Sequence, residues 1–324
     1  MRYIISIVLS VFILGALLTY GPGGLLRSLH VTDNTYFIIK KGDSTYTIAK
    51  NLKAQKILPH TISFLAGAAF NKMLRQPLKH GEYLIDLQMT LWSFLQKITK
   101  GEVVIHYITV PEGLTVYETA QKLEAIEILT GSVELPPEGT ILPQTYDYYW
   151  GESKQHVLQR MVKSMESLKN KVWPTYEKQS ALNNWNEVLI LASIIEKETR
   201  LPEERDLVAS VYLNRLQYNM PLQADPTVIY AITNGKTSFY RPISKNDLAF
   251  DSPYNTYLKK GLPPTPIACP GEASIMAVLK PAQTEYLYFV ANDIGGHEFS
   301  TNLKAHNKNV QLLRAIEKQR KKSL

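Results

Sequence analysis

Apolar positions along this chain of 324 residues follow two periods, close to two and close to 3.6 residues, and the chain switches between them at short intervals. Short alternating or β-branched runs predict strands at 36–39, 81–85, 103–110 and 286–290. Runs with apolar residues at i, i+3 and i+4 predict helices after Ser44, at 62–74, 91–98, 116–123, 155–175 and 188–200, and after Pro202, Asp225 and His306. This close mixture of both element types predicts an α+β fold.

Several residues mark where these elements begin and end. Ser44 follows a Gly42-Asp43 turn and is placed to cap a helix, and Gly101 is placed to end one. Asp225 precedes a proline and is predicted to cap the next helix with its side chain. Gly295-Gly296 predicts a hairpin turn between two strands.

The first twenty residues predict a membrane anchor. Residues 3–20 carry no charge and are about long enough to cross a bilayer, and Arg2 precedes them. A cleavable signal peptide is the alternative, but residues 17–20 offer no small-x-small cleavage site. We therefore expect a transmembrane helix at 1–20, a linker at 21–35, a small domain at 36–105 and a catalytic domain at 106–324. The expected location is the cytoplasmic (inner) membrane, single-pass, with the bulk of the chain on the extracytoplasmic, periplasmic side.

Composition narrows the classes of partner. The chain is 45% hydrophobic and 20% charged, which is an ordinary globular balance. A single cysteine, Cys269, excludes an intramolecular disulfide and a cysteine-based zinc site. The net charge of +7 suits an anionic partner, but no zinc-ligand spacing, RNP-like strand or dense basic helix points to nucleic acid. An anionic membrane surface or a carboxylate-bearing wall polymer fits the charge equally well, and we predict no nucleic-acid partner, no metal and no cofactor.

Two carboxylates end the apolar helix predicted at 188–200. Glu196 extends the stripe formed by Leu189 and Ala192, whereas Glu198 points nearly the opposite way and should reach water or hold a neighbouring cation. For most such helices the explanation is a core helix with a solvated last turn. The functional interpretation is that apolar surroundings keep the Glu196 carboxyl protonated, so that it can donate a proton near neutral pH.

The small domain resembles the start of a LysM module, a glycan-binding fold. The resemblance rests on Ile38, on Gly42-Asp43-Ser44 and on Ile48-Ala49, within a strand–turn–helix unit. It implies a LysM-like α/β subdomain. A structural domain without sugar contacts is an equally good interpretation of the same residues.

An ordered set of motifs in the second half extends the resemblance to a whole family. The motifs are Glu196-Lys197-Glu198-Thr199, Leu222-Gln-Ala-Asp-Pro-Thr-Val-Ile-Tyr230, Tyr254-Asn255-Thr256-Tyr257, Gly261-Leu262-Pro263-Pro264 and Gly295-Gly296-His297. In this order they resemble the YceG-like endolytic murein transglycosylases. The resemblance implies a lyase that cleaves MurNAc–GlcNAc bonds within peptidoglycan strands and leaves 1,6-anhydro-MurNAc ends.

The resemblance also assigns roles to residues. A single carboxyl serves as acid and then as base, and the matching family position makes it Glu196. Polar groups expected to contact the sugars are Gln223, Asp225, Thr227, Tyr230, Asn255, Tyr257, Asn302 and His306. Peptidoglycan glycan strands are the expected partner. Peptidoglycan synthases, with termination of strand elongation, are expected at the family level.

Two other functions stay open from the sequence. A hydrolytic muramidase would use Glu196 as acid and Asp225 to activate water, and its products would retain reducing ends. A non-catalytic peptidoglycan-binding scaffold would rely on the LysM-like domain, and Glu196→Gln would then change nothing.

Overall fold

The computed structural model describes residues 2–21, 23–176, 182–199, 201–293 and 295–320. Arg200 in the predicted helix, Pro22 in the predicted linker and the last residues of the basic tail lie outside these ranges. The chain divides into two compact units. The first comprises Met1–Tyr107, Ile128–Thr130 and Asp147–Glu152, and the second comprises Ile108–Glu127, Gly131–Tyr146 and Ser153–Leu324.

The N-terminal apolar segment forms helix α1, Arg2–Tyr20. Throughout the described ranges, we find no helix that is both long enough and apolar enough to cross a membrane.

In the first unit, two helices lie along the chain between the two strands of an antiparallel sheet. The order is β1 (Thr35–Ile39), α2 (Thr45–Ala54), α3 (Ile62–Met73), β2 (Gly81–Ile85) and α4 (Leu91–Lys100). β1 pairs with β2 so that Thr35 lies opposite Ile85. Edge-to-face ring contacts of Phe94 with Phe37 and Tyr83 lie in the core. These bounds confirm an α+β arrangement, whereas the glycan-binding LysM-like character stays a prediction.

Two predicted helix ends in this unit are confirmed. The Ser44 hydroxyl accepts a hydrogen bond from the Thr47 amide, 3.0 Å away, and caps α2. Gly101 ends α4 in the left-handed region, with φ of 78°. Glycine is the residue that adopts this conformation without steric cost.

After α4 the described part of the chain forms a short second sheet, then six more helices, a β-hairpin and a terminal helix. β3 (His106–Thr109) pairs with β4 (Thr145–Tyr148), and α5 (Val116–Glu124) lies between them in the chain. The helices are then α6 (Lys154–Val172), α7 (Trp185–Glu198), α8 (Arg205–Gln217), α9 (Asp225–Thr233), α10 (Lys245–Leu248) and α11 (Glu272–Leu279). A hairpin of β5 (Tyr288–Ala291) and β6 (His297–Ser300) precedes α12 (Leu303–Arg320).

Helix α7 is the centre of the second unit. Every residue from Val188 to Ile195 is buried, and α7 packs against α8, α9 and α11. A helix that is apolar on all sides belongs in the middle of a core. The prediction of a single apolar stripe on this helix is therefore wrong. Burial on all sides means that position on a stripe cannot distinguish Glu196 from Glu198.

Three local predictions need correction. The N-cap of α9 is Ala224, and Asp225 occupies the first helical position without capping. Its carboxylate instead accepts a hydrogen bond from Tyr257, which removes the capping explanation for this residue. The strand predicted at 103–110 is only four residues long, and the terminal helix begins at Leu303 because Asn302 caps it.

Candidate active site

The two carboxylates at the end of α7 lie in one helical turn but point into different surroundings. Asn184 caps the helix start by accepting from the Glu187 amide, and the helix ends at Glu198. Positions two apart on a helix are separated by roughly 200°. The contacts of Glu196 and Glu198 therefore come from different parts of the second unit.

Glu196 is buried beside a cation and a backbone amide donor. Its side chain is 5% exposed, and the Gly271 amide donates to Oε2 at 2.9 Å. The Arg205 guanidinium lies 3.6 Å from Oε1. The predicted burial of Glu196 is confirmed, but the predicted apolar surroundings are wrong.

Glu112 joins this cluster and was not singled out from the sequence. Its Oε2 lies 3.4 Å from the Arg205 guanidinium, so two glutamates share one arginine. Burial raises the pKa of Glu112, the negative charge of Glu196 raises it further, and Arg205 opposes both. A Cβ on Gly271 would meet the Glu112 carboxyl group, so a larger residue there would displace this side chain. The sequence does not indicate this cluster, because Glu112 lies 84 positions before Glu196 in the chain. No local spacing pattern connects residues so far apart.

Glu198 carries a carboxyl that is protonated far more easily than an ordinary one. Its Oε1 accepts a hydrogen bond from the Tyr212 hydroxyl at 2.8 Å. Burial raises the pKa of Glu198 to about 7, with a further contribution from Asp225, while the Tyr212 hydrogen bond and Arg215 oppose the rise. As a residue Glu198 is half-buried, so the prediction that it can reach water is not contradicted. A carboxyl with a pKa near neutrality is suited to general acid and base chemistry.

Three residues predicted to bind substrate gather near Glu198. Asp225 Oδ1 accepts a short hydrogen bond of 2.6 Å from the Tyr257 hydroxyl, and burial raises the pKa of Tyr257. Gln223 adopts a φ of 53°, which is uncommon for a residue other than glycine. Its Oε1 lies 3.4 Å from the Arg215 guanidinium. Backbone strain of this kind is concentrated at functional sites.

Arg215 fixes this network to the fold. Its guanidinium donates to the carbonyl oxygens of Leu222 at 2.8 Å and Leu287 at 2.7 Å. It also lies over the ring of Tyr288, 5.2 Å from the centroid. His306 stacks on the same tyrosine, and burial together with the charge of Arg215 lowers its pKa.

The other predicted substrate residues have contacts that the fold itself explains. Thr227 is fully buried and donates to the Ala224 carbonyl oxygen, and Asn255 is fully buried and donates to two backbone carbonyl oxygens. Tyr230 donates to Glu138 at 3.5 Å. Asn302 caps α12 through the Ala305 amide. Their contact with sugar stays a prediction.

The Cys269 thiol is buried beside the carboxyl group of Glu138. The thiol is fully buried, 3.8 Å from Glu138 Oε1, and Glu138 also accepts from the Val116 amide at 2.8 Å. Burial raises the pKa of the thiol far above its usual value, and the Glu138 charge adds to this. Since the thiolate is the reactive form, we expect alkylation of Cys269 by iodoacetamide at pH 8 to be on the order of a hundredfold slower in the folded protein than in urea. Equal rates in the two conditions would contradict this environment.

Glu204 ties the β5–β6 hairpin to the turn between α7 and α8. It accepts from the His297 amide at 2.7 Å and contacts the His297 ring Nδ1 at 2.6 Å. Burial acts to raise the pKa of Glu204, but the hydrogen bonds from His297 outweigh burial and lower it. A lowered folded-state pKa gives stability above the unfolded pKa of about 4.3, and this stability is lost as the pH falls through the folded value.

His297→Ala should therefore destabilise the protein by about 1.5–3 kcal/mol at pH 7, the usual range for a hydrogen bond to a charged group. Urea unfolding measures the loss, which should shrink below about pH 4 as Glu204 becomes protonated. The exposed His60→Ala variant is the control. A loss that is the same at pH 3 and pH 7 would show that His297 acts only through packing.

Within the described residues, no group of three or more His, Cys, Asp or Glu side chains is arranged to hold a metal ion. The side chains at the end of α7 carry carboxyl, phenol and guanidinium groups. Together they offer a proton donor near neutral pH, a second carboxylate and polar groups that can orient a ligand.

Comparison with known proteins gives a consistent picture. The YceG-like family model matches residues 37–312. An endolytic murein transglycosylase from Bacillus subtilis (strain 168) is 31% identical over 305 residues, covering 84% of this chain and 79% of that protein. A protein of the same name from Streptococcus pneumoniae serotype 2 is 25% identical over 319 residues, and the match spans 84% of this chain but only 57% of the streptococcal protein. A crystal structure of a YceG-like protein from Listeria monocytogenes superposes with a TM-score of 0.54 at 29% identity, covering 86% of this chain and 99% of that one.

Proposed function

We propose that this chain, which belongs to the YceG-like family, is an endolytic murein transglycosylase that cleaves MurNAc–GlcNAc bonds within glycan strands. The names of the relatives from B. subtilis and S. pneumoniae support the reaction. The observation that carries the proposal is the carboxyl of Glu198, whose pKa is raised to about 7. At neutral pH a large fraction of this group holds a proton that it can donate.

The reaction needs one carboxyl acting twice. Protonated Glu198 gives its proton to the glycosidic oxygen as the bond from that oxygen to C1 of MurNAc breaks. The resulting carboxylate then removes the proton from the C6 hydroxyl while that oxygen bonds to C1. The product is a 1,6-anhydro-MurNAc end, no water is consumed, and Glu198 returns to its protonated state.

Glu198 is a better candidate for this role than Glu196. The sequence resemblance assigns the role to Glu196, and that assignment stays a prediction. The Glu196 carboxylate is held by Arg205 at 3.6 Å and by the Gly271 amide at 2.9 Å. Glu198 has a phenol as its hydrogen-bond donor and is the carboxyl that burial makes easy to protonate.

Asp225 supplies a negative charge near the reacting centre. Its charge acts on Glu198, and Tyr257 holds its carboxylate through the 2.6 Å hydrogen bond. A carboxylate in this position stabilises positive charge that develops at C1 of the sugar. The same group could instead activate water, which keeps a hydrolytic muramidase as the second candidate.

Product mass separates the two reactions. We propose lyase cleavage, for which the new ends are one water lighter than hydrolytic reducing ends. Digestion of purified murein, followed by mass spectrometry of the fragments, gives the answer directly. Reducing ends alone would replace the lyase proposal with the muramidase.

We further propose that the uncharged segment at 3–20 anchors the enzyme in the cytoplasmic membrane, with the chain after residue 20 outside the cytoplasm. The support is its length, its lack of charge and the preceding Arg2. An anchored enzyme in that position would meet strands as synthases produce them and could terminate their elongation. Sedimentation of the full chain with membranes, compared with a chain beginning at residue 21, tests the anchor.

A further inference from the structure

The two carboxyl oxygens of Glu198 have different partners. The Tyr212 hydroxyl donates to Oε1 at 2.8 Å. Oε2 accepts no hydrogen bond from any residue that the structure describes. One oxygen is therefore occupied by the fold, and the other is left for a different partner.

Tyr212 can act only as the donor in this contact. Its side chain is buried, and among the described residues Glu198 is the one acceptor for its hydroxyl. If the hydroxyl accepted from Glu198 instead, its own hydrogen would be buried without a partner, which carries the full desolvation penalty of that group. Burial and the charge of Glu198 raise the pKa of Tyr212 well above its usual value, so the phenol keeps its hydrogen.

A donor at Oε1 decides where the neutral carboxyl holds its own proton. A neutral carboxyl has one carbonyl oxygen and one hydroxyl oxygen, and the carbonyl oxygen is the better acceptor. The hydrogen bond from Tyr212 therefore favours Oε1 as the carbonyl oxygen. The acid proton of Glu198 then lies on Oε2.

We propose that Tyr212 is a positioning residue that holds the transferable proton of Glu198 on Oε2, an inference that rests on the proposed function. Oε2 gives this proton to the glycosidic oxygen and later takes the proton of the C6 hydroxyl. Oε1 stays bonded to the phenol in both steps. That bond strengthens as negative charge develops on the carboxylate, so Tyr212 also sets the pH range in which Glu198 can donate.

The other groups around Glu198 act on it through charge. Arg215 on α8 lowers the pKa of Glu198, and Asp225 at the start of α9 raises it. The Tyr257 hydroxyl donates to Asp225. On α11, Glu272 is more than half exposed and forms an ion pair elsewhere. Removal of a phenol hydroxyl leaves all of these charges in place, so its effect on Glu198 can be measured by itself.

The test is Tyr212→Phe in the full chain. Phenylalanine keeps the edge-to-face contact with Phe289, at 5.8 Å between ring centroids, and loses only the donor. Because the hydrogen bond from Tyr212 lowers the pKa of Glu198, its loss should raise that pKa. The acid works only while protonated, so the basic limb of the kcat/KM profile should move up by about one pH unit. At the plateau, kcat/KM should fall about two- to tenfold, because the proton can then lie on either oxygen.

Tyr218→Phe is the matched control. Tyr218 lies at the end of the same helix, α8, and is exposed. Its substitution removes the same hydroxyl group without touching Glu198. The basic limb and the plateau should both match wild type.

A titration without substrate keeps this inference separate from the proposed activity. The side-chain carboxyl of Glu198 is followed by NMR in protein isotope-labelled at glutamate, and its signal is identified by its loss in Glu198→Gln. We expect the midpoint to rise by about one pH unit in Tyr212→Phe and to stay unchanged in Tyr218→Phe.

The possible results separate the two proposals. If the midpoint moves but the wild type cleaves nothing, Tyr212 controls the proton of Glu198 and the proposed activity fails. A midpoint that stays at the wild-type value would show that Tyr212 acts only through packing, and this would overturn the inference. A moved midpoint with an unmoved basic limb in an active enzyme would mean that another group supplies the proton, which overturns both.

Discussion

Glu198→Gln is expected to lower the rate of murein cleavage by about 10²–10⁴-fold, the usual contribution of a general acid or base. The substitution changes only the proton that the group can carry. Glutamine has nearly the same shape, and its carbonyl oxygen can still accept the 2.8 Å hydrogen bond from Tyr212. Binding of murein should therefore survive while cleavage is lost.

Glu196→Gln is the matched control from the same helical turn. Glutamine at this position can still accept from the Gly271 amide, and Arg205 retains its contact with Glu112. We expect reduced stability, because a buried charge pair is broken, but cleavage within about tenfold of wild type per folded molecule. Loss of cleavage in Glu196→Gln together with full activity in Glu198→Gln would return the catalytic role to Glu196.

The second large effect concerns stability and pH. A carboxyl whose pKa is about 7 when folded and near 4.5 when unfolded takes up a proton on folding between these values. The wild-type protein therefore loses stability from this group as the pH rises from about 4.5 to 7, by on the order of 3 kcal/mol in total. Glu198→Gln removes the titration, so the variant should gain stability relative to wild type as the pH rises.

Urea unfolding of both proteins at pH 5 and pH 8 measures this gain. The free energy of unfolding of the variant minus that of wild type is compared between the two pH values. Groups that titrate equally in both proteins cancel, and only the contribution of Glu198 remains. The exposed Glu166→Gln variant should follow wild type at both pH values. If Glu198→Gln shows the same offset from wild type at pH 5 and pH 8, its carboxyl has an ordinary pKa and the proposed acid loses its physical basis.

The ends of helices and the hairpin turn could be predicted from the sequence, because each depends on residues that are close together in the chain. Ser44 caps α2 through a residue three positions away, and Gly101 ends α4 through its own φ angle. The hairpin at Gly295-Gly296 is confirmed for the same reason. Each of these features depends on a few neighbouring residues, which a pattern can represent.

The surroundings of the two carboxylates were not readable in this way. The helical period places Glu196 and Glu198 on different sides of α7, but it does not say which side holds a cation and which a phenol. Arg205 and Tyr212 lie on the next helix, whereas Glu112 and Asp225 come from segments that only tertiary packing brings near. Because α7 is buried on all sides, the apolar periodicity of its sequence does not distinguish one carboxylate from the other.

The central claim is that Glu198 carries the proton for non-hydrolytic cleavage of murein glycan. One digestion tests it most directly: murein treated with wild type or with Glu198→Gln, with the new chain ends identified by mass. We predict 1,6-anhydro-MurNAc ends from wild type and none above background from Glu198→Gln. Anhydro ends formed by Glu198→Gln at the wild-type yield, or only reducing ends from wild type, would contradict the claim.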